Sequence, residues 1–422
     1  MQCSAISAVK SFNLLIEHKC PQCGAPAVLS ETDRLFTCEF CRVKSYLHSR
    51  GVFRYLLPDK APEDRLLYYF PYWRFKGMLF SCVPEGVRQK FIDVSYQALV
   101  SSHFPISLGF RSQTLKLRFI SPETKGRFLP ISRSFEQMMH IQEQNYSLPL
   151  PKPIYHQAHI GEHLSLIYAP FYVADRLYDA VLNEPVGDRL PDGFEQILET
   201  ADNPRWGLNF LPTLCPDCGW DLQGPRDTLV LLCRNCNSAW KPGQSRLERL
   251  KFGHLTLDTE SPFPILYLPF WRIKTEVKGL VLDTYADLAK VANLPVVARS
   301  EWQNIPYRFF TPAFKIRPQT FLPLATKMTL SLPQETTVDH LPDGEIHPVT
   351  LTAEDAVESL KVILADFIKP RRIHYPNLSE FELTPQSYLL VYVPFVRGHH
   401  DLTQPDYKVS ILKNQLTLAK HL

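Results

Sequence analysis

Eight cysteines are the residues of this chain best suited to chemistry: Cys20, Cys23, Cys38 and Cys41, and again Cys215, Cys218, Cys233 and Cys236. In each set two CxxC pairs stand with fourteen residues between them. That is the spacing of a zinc ribbon, where two tight knuckles each offer two thiolates to one tetrahedral ion, and not of a disulfide framework. The first knuckle of both sets reads Cys-Pro-x-Cys-Gly (Cys20 to Gly24, Cys215 to Gly219). Proline presets φ there, and glycine takes the left-handed turn that aims backbone N–H groups at sulfur. A filled four-cysteine shell has no open position for water or substrate, so the expected cofactors are two structural Zn2+ ions. Iron in a rubredoxin-like electron-transfer site is the rival and is less expected, since rubredoxins carry that glycine in both knuckles with a longer gap. Cys3 and Cys82 have no counterparts and read as an incidental thiol and a buried strand residue.

Other chemistry is thin. His156, His159 and His163 with Glu162 imitate a helical ligand set, and His399, His400 and Asp401 a metal trio, yet both are expected to be surface groups. No phosphate-cradling glycine loop, nucleophile elbow or HExxH occurs. The chain is therefore expected not to be an enzyme. Two kinds of partner surface remain. Arg111, Lys116, Arg118, Lys125, Arg127 and Arg133 outnumber Glu123 in one stretch, and Arg299, Arg308, Lys315, Arg317 and Lys327 outnumber Glu301 in another. Interleaved Phe110, Phe119, Phe309, Phe310 and Phe314 would stack bases if Lys116, Arg118, Lys315 and Arg317 met phosphates. The blander reading, a wet face on an amphipathic strand, is favoured. Trp73 with Arg74 and Trp271 with Arg272 are residue types of interface hot spots, although packing within the chain is the preferred expectation.

The CPQCG and CEFC knuckles, like CPDCG and CRNC, resemble the transcription-factor-B-type zinc ribbons that open many uncharacterised bacterial proteins, some with a following Tyr-x-Pro-x-Trp strand as at Tyr69 to Trp73 and Tyr267 to Trp271. The resemblance covers about a quarter of the chain. It implies a binding or scaffolding role without choosing among DNA, RNA and protein.

The elements that must position the cysteines repeat with them. YFPYWR (Tyr69 to Arg74) recurs as YLPFWR (Tyr267 to Arg272), GFRSQTLKLR from Gly109 as RFFTPAFKIR from Arg308, Phe128-Leu129-Pro130 as Phe321-Leu322-Pro323, and LIYAPF from Leu166 as LVYVPF from Leu390. The order is conserved between copies, so one unit has been copied in tandem. Extra residues in the second copy are expected near Met328 to Val349, as a polar surface excursion. The spacing predicts a hairpin from Leu66 to Leu99, half-buried strands at Leu115 to Phe119 and Phe314 to Arg317, and helices over Phe135 to Gln144 and Ala353 to Ile368 with Thr352 as N-cap. Pro71, Pro170, Pro269 and Pro394 fall inside strong strand sequences and predict four equivalent strand breaks.

These patterns define an α+β, predominantly β chain: zinc ribbon 1 at 1–50, a β-rich domain at 51–200, zinc ribbon 2 at 201–245 and a second β-rich domain at 246–422, each antiparallel with about one helix. At 422 residues, 45% apolar and near charge balance (46 basic, 43 acidic), the chain is long enough for real cores and shows no global pull toward nucleic acid or membrane. Reduced cysteines and the lack of a long apolar run predict a cytoplasmic protein without a transmembrane segment. The expected function is a zinc-ribbon adaptor or assembly component binding a protein partner, with a nucleic-acid-binding module and an iron electron-transfer protein as alternatives.

Overall fold

The computed structural model describes residues 13–419 except 50, 110, 189, 191–193, 203–205, 244, 259–260, 297–298 and 332–337. Cys3 and Phe110 lie outside these residues.

Each unit is organised around one pair of long antiparallel strands. In the first, Leu67–Val83 pairs with His156–Val173; in the second, Ile265–Lys278 pairs with Glu382–Arg397. Both pairs carry an irregularity at the same point, beside Lys76 and Lys274. Short parallel neighbours also correspond. Phe53–Leu56 joins His156–Val173 as Phe252–His254 joins Glu382–Arg397, and Arg127–Phe128 joins Leu67–Val83 as Glu345–Ile346 joins Ile265–Lys278. The class is thus β-rich with two tandem units, and short parallel pairings supplement the expected antiparallel ones.

The four prolines do not break their strands. Within each long pair a tyrosine faces a proline in both directions: Pro71 opposite Tyr168 and Tyr69 opposite Pro170, Pro269 opposite Tyr392 and Tyr267 opposite Pro394. On its other side each proline sits where one neighbour has ended and the next has yet to begin. Pro71 lies between the partner of Tyr68–Tyr69 and that of Tyr72 onward; Pro269 between the partners of Tyr267 and Phe270. Pro170 falls between the partners of Tyr168 and Phe171, and Pro394 between those of Tyr392 and Val396. A residue without an N–H costs nothing at such a local edge, so the strand runs on.

Hydrogen bonds locate the true counterparts of the two copies. The carbonyls of Pro71 and Pro269 accept from Ala98 and Ala313 at 2.9 and 3.0 Å, and indole nitrogens of Trp73 and Trp271 donate to the carbonyls of Arg133 and Leu351 at 2.8 and 3.0 Å. Ser134 and Thr352 then cap the helices Phe135–Ser147 and Ala353–Phe367, each with a capping box closed by Gln137 or Asp355. Ala98 matching Ala313 puts most of the extra residues between them at 279–308, where the second copy adds the helix Tyr285–Val291 and the short turn Ser300–Asn304. The expected excursion at Met328 to Val349 is corrected accordingly: its first residues belong to the helix Pro318–Ser331, where Met328 and Thr329 are buried, while residues 332–337 lie outside the described ones. Phe128 corresponds to Ile346, not to Phe321, which lies in that helix.

The cores do not respect the repeat boundaries. Met78, Phe80, Cys82, Ala158 and Ile160 of the first unit belong to the same apolar cluster as Phe321, Leu360, Ile363 and Leu364 of the second. The ribbons are joined too. Asn209–Pro212, which leads into the second ribbon, pairs with Lys44–His48 of the first, and Leu35 and Tyr46 share a cluster with Leu211, Leu222 and Trp240. The four segments are chain repeats packed into shared cores.

Candidate metal centres

Each cysteine set closes on itself. Sγ atoms lie 3.7 Å apart for Cys20 and Cys41 and 3.6 Å for Cys23 and Cys38; in the second set Cys215 and Cys236 are 3.6 Å apart and Cys218 and Cys233 3.5 Å. All four ligand atoms of a set lie within 4.8 Å of one another. Metal–sulfur bonds of about 2.3 Å at tetrahedral angles require sulfurs about 3.8 Å apart, so both sets fit an ion of that size. They are far beyond disulfide length, and all eight thiols are free.

Local backbone explains the convergence. Gly24 and Gly219 both sit at φ +72°, and their N–H groups donate to the carbonyls of Cys20 and Cys215 at 2.9 and 2.8 Å. The second knuckles lack glycine but reach the same left-handed turn through Arg42 (φ 63°) and Asn237 (φ 50°). They are not looser; asparagine tolerates this region, and Arg42 bears its cost. Backbone N–H groups of Cys41 and then Phe40 pull the Cys38 thiol down to about 6, while the Asn235 side chain and then the Trp220 N–H pull Cys218 to about 6. Their neighbours move the other way: burial and the adjoining sulfurs push Cys41 and Cys236 up to about 12, so each metal-free cluster favours a thiolate at one sulfur and keeps the proton at another, as close-set thiols do until a cation displaces it.

The other expected site residues are scattered or buried. Trp73, Arg74 and Trp271 are buried, which removes them as an exposed partner surface; Arg272 is half-buried. Lys116 and Arg118 are exposed on the strand Lys116–Phe119 and face Glu17 and Asp59 at 3.8 and 3.6 Å. Phe314 to Arg317 is not the expected strand but the connection into helix Pro318–Ser331, with Lys315 buried and Arg317 exposed. The four cations therefore form no common phosphate-binding face. His156, His159 and His163 stand on a strand, not a helix; the side chains of Glu162 and His163 lie outside the described ones, and neither His156 and His159 nor His399, His400 and Asp401 converge as a metal site among the described residues.

Two features were missed. First, Arg74 is the hub of a buried ionic cluster. It donates to Glu31 through both terminal nitrogens and to Asp93 at 2.9 and 3.0 Å, while Lys76 lies 3.5 Å from Glu31. Burial alone would raise the Glu31 pKa, but Arg74 and then Lys76 outweigh it and hold the carboxyl below its ordinary value. Nothing in the spacing of residues 31, 74 and 93 announces this. Second, Phe40 and Trp220 are 70% and 58% exposed on the knuckles themselves. Their signal was legible, since both occur inside or next to a CxxC pair.

The first ribbon also borders a groove of 1480 Å³, walled by His18, Phe36, Phe119 and Phe210. Its charges are mixed: Arg118, Lys19 and Arg226 alternate with Glu17, Glu39 and Glu123. The fold and the sites thus define a duplicated β-rich protein with two four-cysteine clusters able to hold metal ions. No family model matches the chain, and no curated protein or solved structure matches it either.

Proposed function

We propose that this protein is a non-enzymatic adaptor or assembly component that binds other proteins, with both cysteine clusters holding structural zinc. The observation that carries the reading is the exposure of Phe40 and Trp220 on metal-closing knuckles. Large aromatics held on a rigid turn bury much area for little loss of entropy, which is how interface hot spots work. Zinc is favoured over iron because the second knuckles lack the glycine that rubredoxins carry in both and only fourteen residues separate the two pairs. A protein partner is favoured over nucleic acid because Lys315 is buried and the groove beside the first ribbon holds as many acids as bases. No described helix is long and apolar enough to cross a membrane, which accords with a cytoplasmic site of action. The test is capture of partners from the native host by the full-length protein and by the Phe40→Ala, Trp220→Ala double variant, alongside metal analysis. Loss of capture with both metals retained is expected. Undiminished capture by the double variant would sink the adaptor reading, and a red protein containing iron would replace zinc.

A further inference from the structure

The two copies treat one buried arginine position in opposite ways. In the first unit Arg74 and Lys76 face the strand Gly86–Gln97, which sets Ser95 opposite Arg74 and Asp93 opposite Lys76. Asp93 and Glu31 together neutralise both cations. In the second unit Arg272 and Lys274 occupy the same strand positions, and the neighbouring strand Phe309–Pro312 sets Phe310 opposite Arg272. Carried one residue further, that register brings Arg308 to Lys274, so an arginine stands where the first copy has Asp93. Glu31 is replaced as well. The matching position of the second ribbon is Arg226, which pairs with Asp33 at 2.8 Å.

Arg272 is half-buried, and its desolvation together with the nearby Arg308 lowers its pKa. Among the described residues no carboxylate pairs with Arg272 or Arg308. Guanidinium groups do not escape such a situation by losing a proton. The backbone beside them lacks a strand partner as well. In the first unit the strand Gly86–Gln97 covers the edge of Leu67–Val83 as far as Val83. In the second, Phe309–Pro312 reaches only Ile273, and Lys274 to Lys278 pair on one side alone, with Glu382–Ser387. An uncovered strand edge presents unpaired N–H and C=O groups that a further strand can take up.

We propose that the edge Lys274–Lys278 binds an extended acidic segment of a partner protein as an added β-strand, its carboxylates meeting Arg272, Lys274 and Arg308. The segment does in trans what Gly86–Gln97 does within the first unit. Alternation along a strand puts every second residue on one face, and Glu276 shares that face with Lys274 and Lys278, so acids opposite the two lysines with an uncharged residue opposite Glu276 are the recognised pattern. This rests on the adaptor reading and names the chemistry of its partner.

The probe is a fluorescein-labelled octapeptide, Val-Asp-Val-Thr-Val-Asp-Val-Asp, whose threonine faces Glu276 when its aspartates face Lys278 and Lys274, titrated by anisotropy against the full-length, metal-loaded protein. The competitor is oligothymidylate of equal charge. Wild-type protein should bind the peptide in a salt-sensitive manner, and oligothymidylate should not displace it. Arg308→Asp restores the arrangement of the first copy, giving Arg272 an internal carboxylate. It should weaken the peptide about tenfold or more while raising the unfolding temperature, a combination that misfolding cannot produce. Failure of wild type to bind, equal binding by Arg308→Asp, or preference for oligothymidylate would each overturn the proposal. Partner capture that needs Phe40 and Trp220 but ignores Arg308→Asp would leave the adaptor reading intact and remove only this one.

Discussion

At the scale of single residues, charge burial and thiol convergence govern what a substitution does. Glu31 is 2% exposed and neutralises Arg74 and Lys76, 1% and 0% exposed. Glu31→Gln leaves two buried cations short of one charge, and a loss of about 3–5 kcal/mol in denaturant unfolding is expected. The pH dependence has a definite sign. Because the folded carboxyl titrates below its ordinary value of 4.5, its stabilisation is present above that value and is lost as pH falls through the lower folded one. Wild type should therefore lose stability in acid more steeply than Glu31→Gln, as circular dichroism melts between neutral pH and pH 3 would record. For the clusters, Cys38→Ser or Cys218→Ser should each leave one bound metal where the pair of clusters offers two sites, measured by mass spectrometry of the native protein. The two four-cysteine clusters were legible from spacing alone, because a knuckle is a local structure. The Arg74 cluster was not, since it joins residues far apart in the chain whose meeting only the fold decides.

Elements show how far pattern reaches. Both capped helices and the long hairpin could be read from periodicity and turn residues, and the helix over 353 to 367 with Thr352 at its cap matches that reading closely. Prolines misled, for what they mark is a change of neighbour, and neighbours that come from distant segments leave no trace next to the proline. The Phe314 to Arg317 alternation misled for a similar reason: Phe314, Lys315 and Ile316 are all buried, so period two did not report a wet face. A second device repeats unseen in sequence. Gly126 and Gly344 lie under the rings of Tyr69 and Tyr267, where an added Cβ would come within 2.6 and 2.8 Å of ring carbon. Gly344→Ala should displace Tyr267 and its strand contact with Ile346, costing about 1–3 kcal/mol in thermal or chemical unfolding. Alanine at 126 should cost more, because Gly126 also sits at φ +116°.

At the scale of the whole molecule the duplication was legible, and the way its halves merge was not. Repeat arithmetic treats each copy as a unit with its own interior, whereas the rings of Phe80 in the first copy and Phe321 in the second pack at a tilt with centroids 6.1 Å apart, and the guanidinium of Arg371 donates to the Glu85 carbonyl at 3.0 Å. Residues 1–200 produced alone should thus expose Met78, Phe80 and Ile160 and be recovered largely as aggregate, while the full chain stays in solution; fractionation of the two side by side decides it.

The same shared interior imposes an order on synthesis. The strand Leu67–Val83 leaves the ribosome early, yet the helix Ala353–Phe367 that covers its far end is made about 270 residues later. At about 5–20 residues per second that is roughly 15 to 50 s, during which a nascent hairpin with an oily tip stands uncovered beside neighbouring chains on the same message. Holding that tip is work for a chaperone, and slowing translation between the copies lengthens the exposure.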